Sequence, residues 1–442
     1  MAAAESPEMS KLGWHSLGAS FACACGQQHS IPVEICHIGA GAAQCLTDFA
    51  RARCGRRCFV LSDENTRQAA GEGLLSALSE AGISIREKTY GSVPFEATLE
   101  RAEDVAAWGA EADCLVAIGS GTLCDLAKYA GHKHRRPVLL LATAASMNGY
   151  TSGIVALNVG GLKRTLPCIP ALGVFADPEI LATAPVRMTA AGIADALSKH
   201  ASAADWLAAH LLRDAYHCSR AAEFVEGMDE QLLAACPGVA RNDVQSVRAV
   251  IESLLLSGLS MTVAGSSAPA SGGEHLISHY LDMRHAMYGT PNDLHGAQVG
   301  VATVHSLELW ERILAADPET LDIEALINVQ PAEGEVRRWI EEDWGGIAPE
   351  VLTLWREKAL DRSALRNELE RFRRDFPRFR EDVQRELLPA KTVADAIRAA
   401  GGPTAPEELA APVEEYRRAL ERARFLRNRF TVLDLAAELN LK

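Results

Sequence analysis

Short apolar runs alternate with stretches of helical spacing through about the first 180 residues of the chain. The apolar runs lie at residues 58–62, 114–118, 138–142 and 172–176. Each run is short, and a helical pattern separates most of them from the next. Short apolar strands separated by helices are typical of a parallel sheet that is covered by helices on both faces. The pattern therefore predicts an α/β domain.

The hydrophobic pattern changes after the third run. Residues 154–166 resemble two short strands joined at Gly160-Gly161, which predicts a β-hairpin with a glycine turn. After Pro185 almost no strand signal remains, and we expect helices as far as the C-terminus. Breaks between these helices are expected at 237–238, 272–273, 291 and 345–346.

The change of pattern divides the chain into two predicted domains. Its 442 residues are too many for one ordinary hydrophobic core. We place an α/β domain at residues 1–183 and an all-α domain at residues 184–442. The acidic and basic helices near the C-terminus have the pattern of solvated amphipathic helices.

The amino-acid composition disfavours nucleic-acid-binding, secreted and membrane-spanning proteins. The formal net charge of −14 disfavours nucleic acid as a partner, because the chain would repel a phosphate backbone. The N-terminal residues lack the pattern of a signal peptide, and no apolar stretch of 18 residues predicts a membrane span. The 11 cysteines are scattered and odd in number, which is typical of reduced thiols in the cytosol. We therefore expect a soluble cytoplasmic protein.

A candidate phosphate site follows the second apolar run. Gly119, Ser120, Gly121 and Thr122 connect this strand to a helix. Glycines allow close approach of the backbone, and a helix N-terminus offers free N–H groups to an anion. The alternative is an ordinary strand-to-helix turn, since the segment lacks the full GxGxxG spacing of dinucleotide sites.

Asp63 follows the first apolar run and bears on the choice of nucleotide. A carboxylate at this strand end can accept a hydrogen bond from a ribose hydroxyl and would repel a 2′-phosphate. That interpretation favours NAD over NADP. The alternative is that Asp63 caps the helix that follows it.

One carboxylate and three histidines form a candidate metal site. Asp195 lies in an apolar helical stretch, where an unpartnered carboxylate is costly. His275 and His279 are four residues apart and share a helix face. His295 follows shortly after Pro291 and begins another apolar run. A carboxylate and two imidazoles suit a divalent metal with an open coordination position, although paired histidines are often structural.

These residues lie in sequence segments that resemble those of the iron-type alcohol dehydrogenase and dehydroquinate synthase superfamily. Within that superfamily, the segments are most similar to those of the glycerol-1-phosphate dehydrogenase branch. The matching segments follow one another in the same order as in the family, at residues 119–129, 142–152, 161–167, 175–185, 187–199, 271–281, 294–300 and 430–436. The resemblance covers nearly the whole chain. It implies a Rossmann-like NAD-binding domain and a helical metal- and substrate-binding domain, with the site in the cleft between them.

The resemblance also implies roles for particular residues. The cofactor-binding positions would be Gly119, Ser120, Gly121, Thr122 and Leu123 at the pyrophosphate, with Thr143, Ala144, Ala145, Ser146 and Ser152 at the nicotinamide. The metal ligands would be Asp195, His275 and His295. His279 would contact substrate and serve, with Asp195, as a catalytic residue.

Two positions depart from the family's pattern. Iron-dependent members have a fourth ligand, a histidine, where this chain has Lys199, so zinc or nickel is expected rather than iron. The family usually has an aspartate in contact with substrate where this chain has Asn148, which keeps a hydrogen-bonding carbonyl and loses the charge. Asn148 therefore leaves the exact substrate open.

The predicted activity is reduction of dihydroxyacetone phosphate to sn-glycerol 1-phosphate by NADH, with a metal that polarises the carbonyl. A polyol dehydrogenase acting on glycerol, a dehydroquinate synthase-like lyase that uses NAD transiently and a non-catalytic metal-binding protein are the alternatives. A homodimer is expected. The candidate ligands of the substrate phosphate are Lys163, Arg164, Arg187 and Lys199.

A second group of metal-binding residue types lies near the N-terminus. Cys23, Cys25 and His29 provide three ligands, and no fourth is evident nearby in the sequence. The Cys-X-Cys spacing is also not the usual one for zinc. We therefore expect a strand and turn that contain free thiols.

Overall fold

A six-stranded parallel sheet forms the framework of the first part of the protein. The computed structural model describes residues 11–441. The strands in chain order are β1 (Ser20–Ala22), β2 (Gln28–Ser30), β3 (Ile35–Ile38), β4 (Arg57–Asp63), β5 (Ser84–Tyr90), β6 (Cys114–Gly119), β7 (Val138–Ala142), β8 (Ile154–Val159), β9 (Leu162–Pro167) and β10 (Gly173–Ala176). The strand order in the large sheet is β3-β10-β7-β6-β4-β5. The predicted α/β fold is confirmed.

The four predicted strands form the centre of this sheet. All residues of β6, β7 and β10 are buried, because helices cover both faces of the sheet. The register places Ala117 of β6 beside Leu61 of β4 and Leu140 of β7. The two edge strands, β3 and β5, were not predicted. They are only partly buried, so they lack a continuous apolar run.

The predicted hairpin is present. Strands β8 and β9 pair antiparallel, and Val159 faces Leu162 across the turn. Gly160 and Gly161 have φ angles of +60° and +93°. Both angles are accessible to glycine without strain, as a two-residue hairpin turn requires. A second small antiparallel sheet joins β1 and β2.

Helices make up the described chain after β10, and other helices connect the strands of the large sheet. The helices in chain order are α1 (Ala42–Arg53), α2 (Glu64–Thr66), α3 (Glu72–Glu80), α4 (Leu99–Gly109), α5 (Gly121–His134), α6 (Pro178–Leu181), α7 (Val186–Leu197), α8 (Lys199–Arg213), α9 (Ser219–Ala222), α10 (Asp229–Val239), α11 (Val244–Ala264), α12 (Gly273–Tyr288), α13 (His295–Ala315), α14 (Ile323–Val329), α15 (Glu333–Trp344), α16 (Ala348–Arg356), α17 (Arg362–Glu386), α18 (Ala390–Ala399), α19 (Val413–Arg422) and α20 (Val432–Glu438). The division into a domain at 1–183 and a domain at 184–442 stays a prediction.

Three of the four expected helix breaks agree with these bounds. The break expected at 237–238 is wrong, because both residues lie inside α10. Pro237 removes one N–H donor near the end of the helix, while the buried side chains of Leu232 and Val239 keep α10 packed on its neighbours. Helix packing therefore outweighs the local effect of this proline.

Helix α11 is apolar over its full length. It is long and apolar enough to cross a membrane, but most of its residues are buried inside the protein. Burial of this kind is typical of a central core helix. Among the described residues, no other helix meets the same length and hydropathy criteria.

Glycines allow α7 to pack very closely against α13 and against the loop after β7. A Cβ atom on Gly296 would lie 2.1 Å from the carbonyl oxygen of Ala191, and one on Gly300 would lie 2.7 Å from the Cβ of Ala194. A Cβ atom on Gly192 would lie 2.0 Å from the carbonyl oxygen of Ala145. These contacts fix the relative positions of the elements that carry the candidate site.

Candidate active site

Three helices bring the predicted metal ligands together. Asp195 comes from α7, His275 from the first turn of α12 and His295 from the start of α13. Their ligand atoms all lie within 4.8 Å of one another. Asp195 Oδ1 is 3.4 Å from His275 Nε2. One carboxylate and two imidazoles at this spacing have the donor set that a divalent cation such as zinc requires.

Neighbouring polar groups orient the two imidazoles. His275 donates through Nδ1 to Glu274 Oε1 over 2.8 Å, which directs Nε2 toward Asp195. Nδ1 of His295 is 2.9 Å from the Ser278 hydroxyl, so Nε2 is the ring nitrogen left for a ligand. Partners of this kind are a regular feature of metal-binding histidines, because they fix the tautomer and the ring orientation.

The charges around His275 favour a cation. Burial alone would lower the pKa of His275, but hydrogen bonds and charges from Asp195 and Glu274 raise it to about 9. Burial and the nearby charge of His275 lower the pKa of His295 to about 4. The carboxylates of Asp195 and Glu274 thus create a negative environment around His275, which suits a positive ion at the cluster of ligand atoms.

Asn148 contacts the candidate metal ligand Asp195 directly. Its backbone N–H donates to Asp195 Oδ2 over 2.8 Å, and its side-chain amide donates to Oδ1 over 3.3 Å. Asn148 therefore holds the Asp195 carboxylate in place. It also lines the cavity described below, where it was predicted to meet substrate.

His279 lies one helical turn after His275. Its ring is stacked on that of His295, with 5.8 Å between the ring centroids. Its Nδ1 atom is buried and has no hydrogen-bond partner among the described residues. A buried polar atom without a partner is costly, and His279 lines the cavity, so this atom is suited to bind a substrate hydroxyl or oxygen.

The predicted pyrophosphate turn joins β6 to α5. Strand β6 ends at Gly119, and α5 begins at Gly121 without a side-chain cap from Ser120. The N–H groups of the first turn are therefore available to an anion. A Cβ atom on Gly119 would lie 2.5 Å from the side chain of Leu123, which explains the glycine at this position.

The other predicted cofactor residues lie in two places. Ser152 lines the cavity. Thr143, Ala144, Ala145 and Ser146 form the loop after β7 and are not among the residues that line it. This loop is tied to the glycine turn by a hydrogen bond of 3.2 Å from Thr143 N to Gly119 O.

Asp63 caps α2. Its Oδ1 accepts a 2.8 Å hydrogen bond from the backbone N–H of Thr66. Asp63 lies at the end of β4, which is adjacent to β6, the strand that leads into the glycine turn. The structure thus shows the capping role, and the ribose-binding role stays a prediction.

Lys128 is a site component that the sequence analysis missed. Its ammonium group is fully buried and donates to the carbonyl oxygens of Gly149 and Ile154 over 2.7 and 2.6 Å, and to the Ser152 hydroxyl over 3.2 Å. Lys128 thereby fixes the loop that follows Asn148. Its position among apolar residues of α5 was the available signal, since a lysine is rarely fully buried without partners.

A cavity of about 660 Å³ is lined both by residues of the glycine turn and by the metal-ligand cluster. Its lining includes Gly121, Thr122, Asn148, Ser152, Asp195, His275, His279 and His295. The cavity therefore lies between the glycine turn of the sheet domain and the metal-ligand cluster of the helices. A volume of this size suits a small ligand together with part of a cofactor.

Among the described residues, one lysine and one arginine line this cavity. Lys163 is a predicted phosphate ligand, and its ammonium lies 3.7 Å from a carboxylate oxygen of Asp282. Arg101, which comes from α4, was not predicted. The other predicted phosphate ligands lie elsewhere. Arg164 pairs with Glu350, Lys199 pairs with Asp229 at 2.6 Å, and Arg187 is exposed and outside the lining.

Known proteins resemble this chain in sequence and fold. A family model described as iron-containing alcohol dehydrogenase matches residues 37–185. A glycerol-1-phosphate dehydrogenase (NAD(P)+) from Geobacillus stearothermophilus is 30% identical over 366 residues, which are 75% of this chain and 88% of that protein. A protein of the same name from Bacillus licheniformis is 29% identical over 425 residues, 95% of this chain and 93% of that protein.

Solved structures share the fold. The alcohol dehydrogenase from Oenococcus oeni aligns with a TM-score of 0.57 at 15% identity and covers 92% of this chain and 97% of that chain. This likeness supports the arrangement of a parallel-sheet domain followed by helices over nearly the whole length.

Proposed function

Because the chain belongs to the glycerol-1-phosphate dehydrogenase family, whose members are NAD(P)-dependent oxidoreductases, we propose that it reduces dihydroxyacetone phosphate to sn-glycerol 1-phosphate with NADH. The observation that carries the proposal is the shared cavity. It joins the candidate metal ligands Asp195, His275 and His295 to the glycine turn at Gly121. A metal-polarised substrate and a nicotinamide cofactor would meet there.

The metal site fits a divalent cation. Asp195, His275 and His295 would hold it, and when bound it supplies Lewis acidity toward the substrate carbonyl oxygen. Zinc or nickel is proposed rather than iron. Lys199 takes the place of a fourth ligand and turns away, since its ammonium donates to the carbonyl oxygen of Val225 and pairs with Asp229.

The glycine turn fits a pyrophosphate. The uncapped first turn of α5 offers N–H groups, and the positive end of the helix favours an anion. A bound nicotinamide nucleotide supplies the hydride, and the protein fixes its position relative to the substrate. Asp63 at the end of β4 would favour NAD, because its carboxylate repels a 2′-phosphate.

The side chains of the cavity would bind and orient the substrate. Lys163 and Arg101 are the cations available to its phosphate group. His279 would hydrogen-bond a substrate oxygen through its unpartnered Nδ1 and hold or move a proton there. Burial and the charges of Arg427 and the neighbouring histidines lower the pKa of His279, so the neutral ring is favoured before substrate binds.

We further propose a cytoplasmic homodimer. The scattered free cysteines support the cytoplasm, where thiols stay reduced. Sedimentation of the purified protein would give the mass of a dimer, and a mass of 47.5 kDa would identify a monomer.

The test is NADH oxidation with protein stripped by a chelator and refilled separately with zinc, nickel or iron. We expect turnover with dihydroxyacetone phosphate, restored by zinc or nickel, and little with unphosphorylated dihydroxyacetone. His295→Ala should abolish this turnover, whereas His210→Ala, an exposed histidine on α8, should retain it. Equal rates with the unphosphorylated substrate would identify a polyol dehydrogenase instead, and no turnover with any metal would contradict the proposal.

A further inference from the structure

Four metal-binding side chains converge in a cluster that shares no residue with the candidate active site. Cys23, Cys25, His29 and Cys218 have ligand atoms that all lie within 4.8 Å of one another. Three of them, Cys23, Cys25 and His29, were evident from the sequence. The prediction lacked the fourth, because Cys218 lies 195 positions after Cys23 and the fold brings it against the β1–β2 hairpin.

The local backbone is built to present these side chains. Cys23 and Cys25 lie in the turn between β1 and β2, and His29 lies in β2. Two hydrogen bonds close a tight turn here, since Cys23 N donates to Gln27 O and Gly26 N donates to Cys23 O. Gly26 has a φ of +84°, which lets the chain reverse directly after Cys25.

The interatomic distances match a tetrahedral zinc site. Zinc–sulfur bonds of about 2.3 Å at tetrahedral angles place two thiolate sulfurs about 3.8 Å apart, and a sulfur and an imidazole nitrogen about 3.6 Å apart. Cys23 Sγ is 3.8 Å from Cys218 Sγ. His29 Nε2 is 3.5 Å from Cys218 Sγ and 3.2 Å from Cys25 Sγ.

The surroundings also favour a structural site. His29 and Cys218 are buried, and Cys23 and Cys25 are half-buried against the same apolar cluster, which includes Ile31, Val33 and Trp206. The four side chains leave no coordination position open, as in structural zinc sites. Thiolates and imidazole together select zinc over magnesium or calcium.

We propose that Cys23, Cys25, His29 and Cys218 bind one zinc ion that fastens the N-terminal hairpin to the segment between α8 and α9. The site is separate from the candidate active site, since the two clusters share no residue. It requires no change of oxidation state, because each thiol releases a proton to the solvent and binds zinc as a thiolate.

The test uses the full chain purified under reducing conditions, with zinc content measured and cobalt substituted for zinc. The proposal expects intense sulfur-to-cobalt charge-transfer absorption, which a ligand set of one carboxylate and two histidines cannot produce. His295→Ala should keep this absorption. Cys218→Ser should lose it together with one equivalent of zinc, whereas Cys45→Ser, a half-buried thiol on α1, should retain both.

A measurement on the unaltered protein covers the case in which Cys218→Ser does not fold. Bound zinc should protect Cys23, Cys25 and Cys218 from alkylation, and removal of zinc should make them reactive. Absence of the charge-transfer absorption in the unaltered protein would overturn the proposal. A disulfide between Cys23 and Cys218 in protein prepared without metal loss, with no bound zinc, would overturn it in favour of a redox pair.

Discussion

The backbone amide of Asn148 donates a 2.8 Å hydrogen bond to Oδ2 of Asp195, and its side-chain amide lies 3.3 Å from Oδ1. One residue thus contacts both oxygens of the carboxylate that is proposed to bind the metal. The amide group adds no charge, whereas the aspartate that the family usually has here would place a second carboxylate against the first.

Asn148→Asp should make folding more dependent on metal. Two carboxylates at this distance repel each other, and a bound cation relieves the repulsion. We expect a lower Tm than wild type in the presence of a chelator and a larger rise in Tm when zinc or nickel is added. Asn148→Ala is the control, because it removes the side-chain contact without adding charge. Equal increments in Tm for all three proteins would contradict the prediction.

Gly296→Ala should separate α13 from α7 and disrupt the metal site. The new Cβ atom would lie 2.1 Å from the carbonyl oxygen of Ala191, which is backbone and cannot rotate away. We expect a loss of about 1–3 kcal/mol in the free energy of unfolding, weaker metal retention and a fall in kcat/KM.

The matched control for this helix contact is Gly334→Ala. Gly334 is exposed in α15, and an added Cβ atom would have no atom of residues 11–441 within 4 Å. Alanine there should leave activity unchanged and stabilise the protein by up to about 1 kcal/mol. Similar effects of the two substitutions in urea unfolding and metal analysis would show that the close contact is unimportant.

Lys128→Met should loosen the loop that carries Ser152. The substitution removes the ammonium donor from the buried carbonyl oxygens of Gly149 and Ile154 and leaves the single proton of the Ser152 hydroxyl to serve both, at a cost of about 1–3 kcal/mol. We expect lower stability and a higher KM for nucleotide and substrate. Lys133→Met is the control, because Lys133 is exposed on the same helix and pairs with Glu103. A KM equal to that of wild type would argue against a positioning role for Lys128.

Asp63→Asn should change the preference between nucleotides without weakening the helix cap. Asparagine caps helices about as well as aspartate, so stability should be unchanged. Loss of the charge should raise the ratio of kcat/KM for NADPH to that for NADH, by roughly tenfold if about 1.4 kcal/mol of repulsion is removed. An unchanged ratio, measured with saturating dihydroxyacetone phosphate, would leave Asp63 as a cap alone.

The centre of the fold could be predicted from the sequence because its strands are buried on both faces. Strands β6 and β7 therefore consist of continuous apolar residues, and the hairpin carries two glycines at its turn. Strand β5 contains Arg86, Glu87 and Lys88 because it lies at the sheet edge. Its sequence has no continuous apolar signal, and only the tertiary structure reveals it.

The residues of the candidate site could be predicted where the local sequence marks them, and could not where only the tertiary structure brings them together. Asp195, His275 and His295 stood out because their residue types are unusual in apolar or glycine-flanked helices. Lys128 was overlooked, since lysine on a helix ordinarily faces solvent. Cys218 could not be associated with Cys23 from spacing alone, because the packing of α8 and α9 against the hairpin determines that contact.

The candidate metal ligands all come from helices that follow Pro185, whereas the glycine turn for the nucleotide precedes it. For the proposed reaction, metal and nucleotide would therefore be held by separate lengths of the chain. The cavity in which they would meet is lined from both sides of Pro185, so it exists only when both lengths have folded against each other.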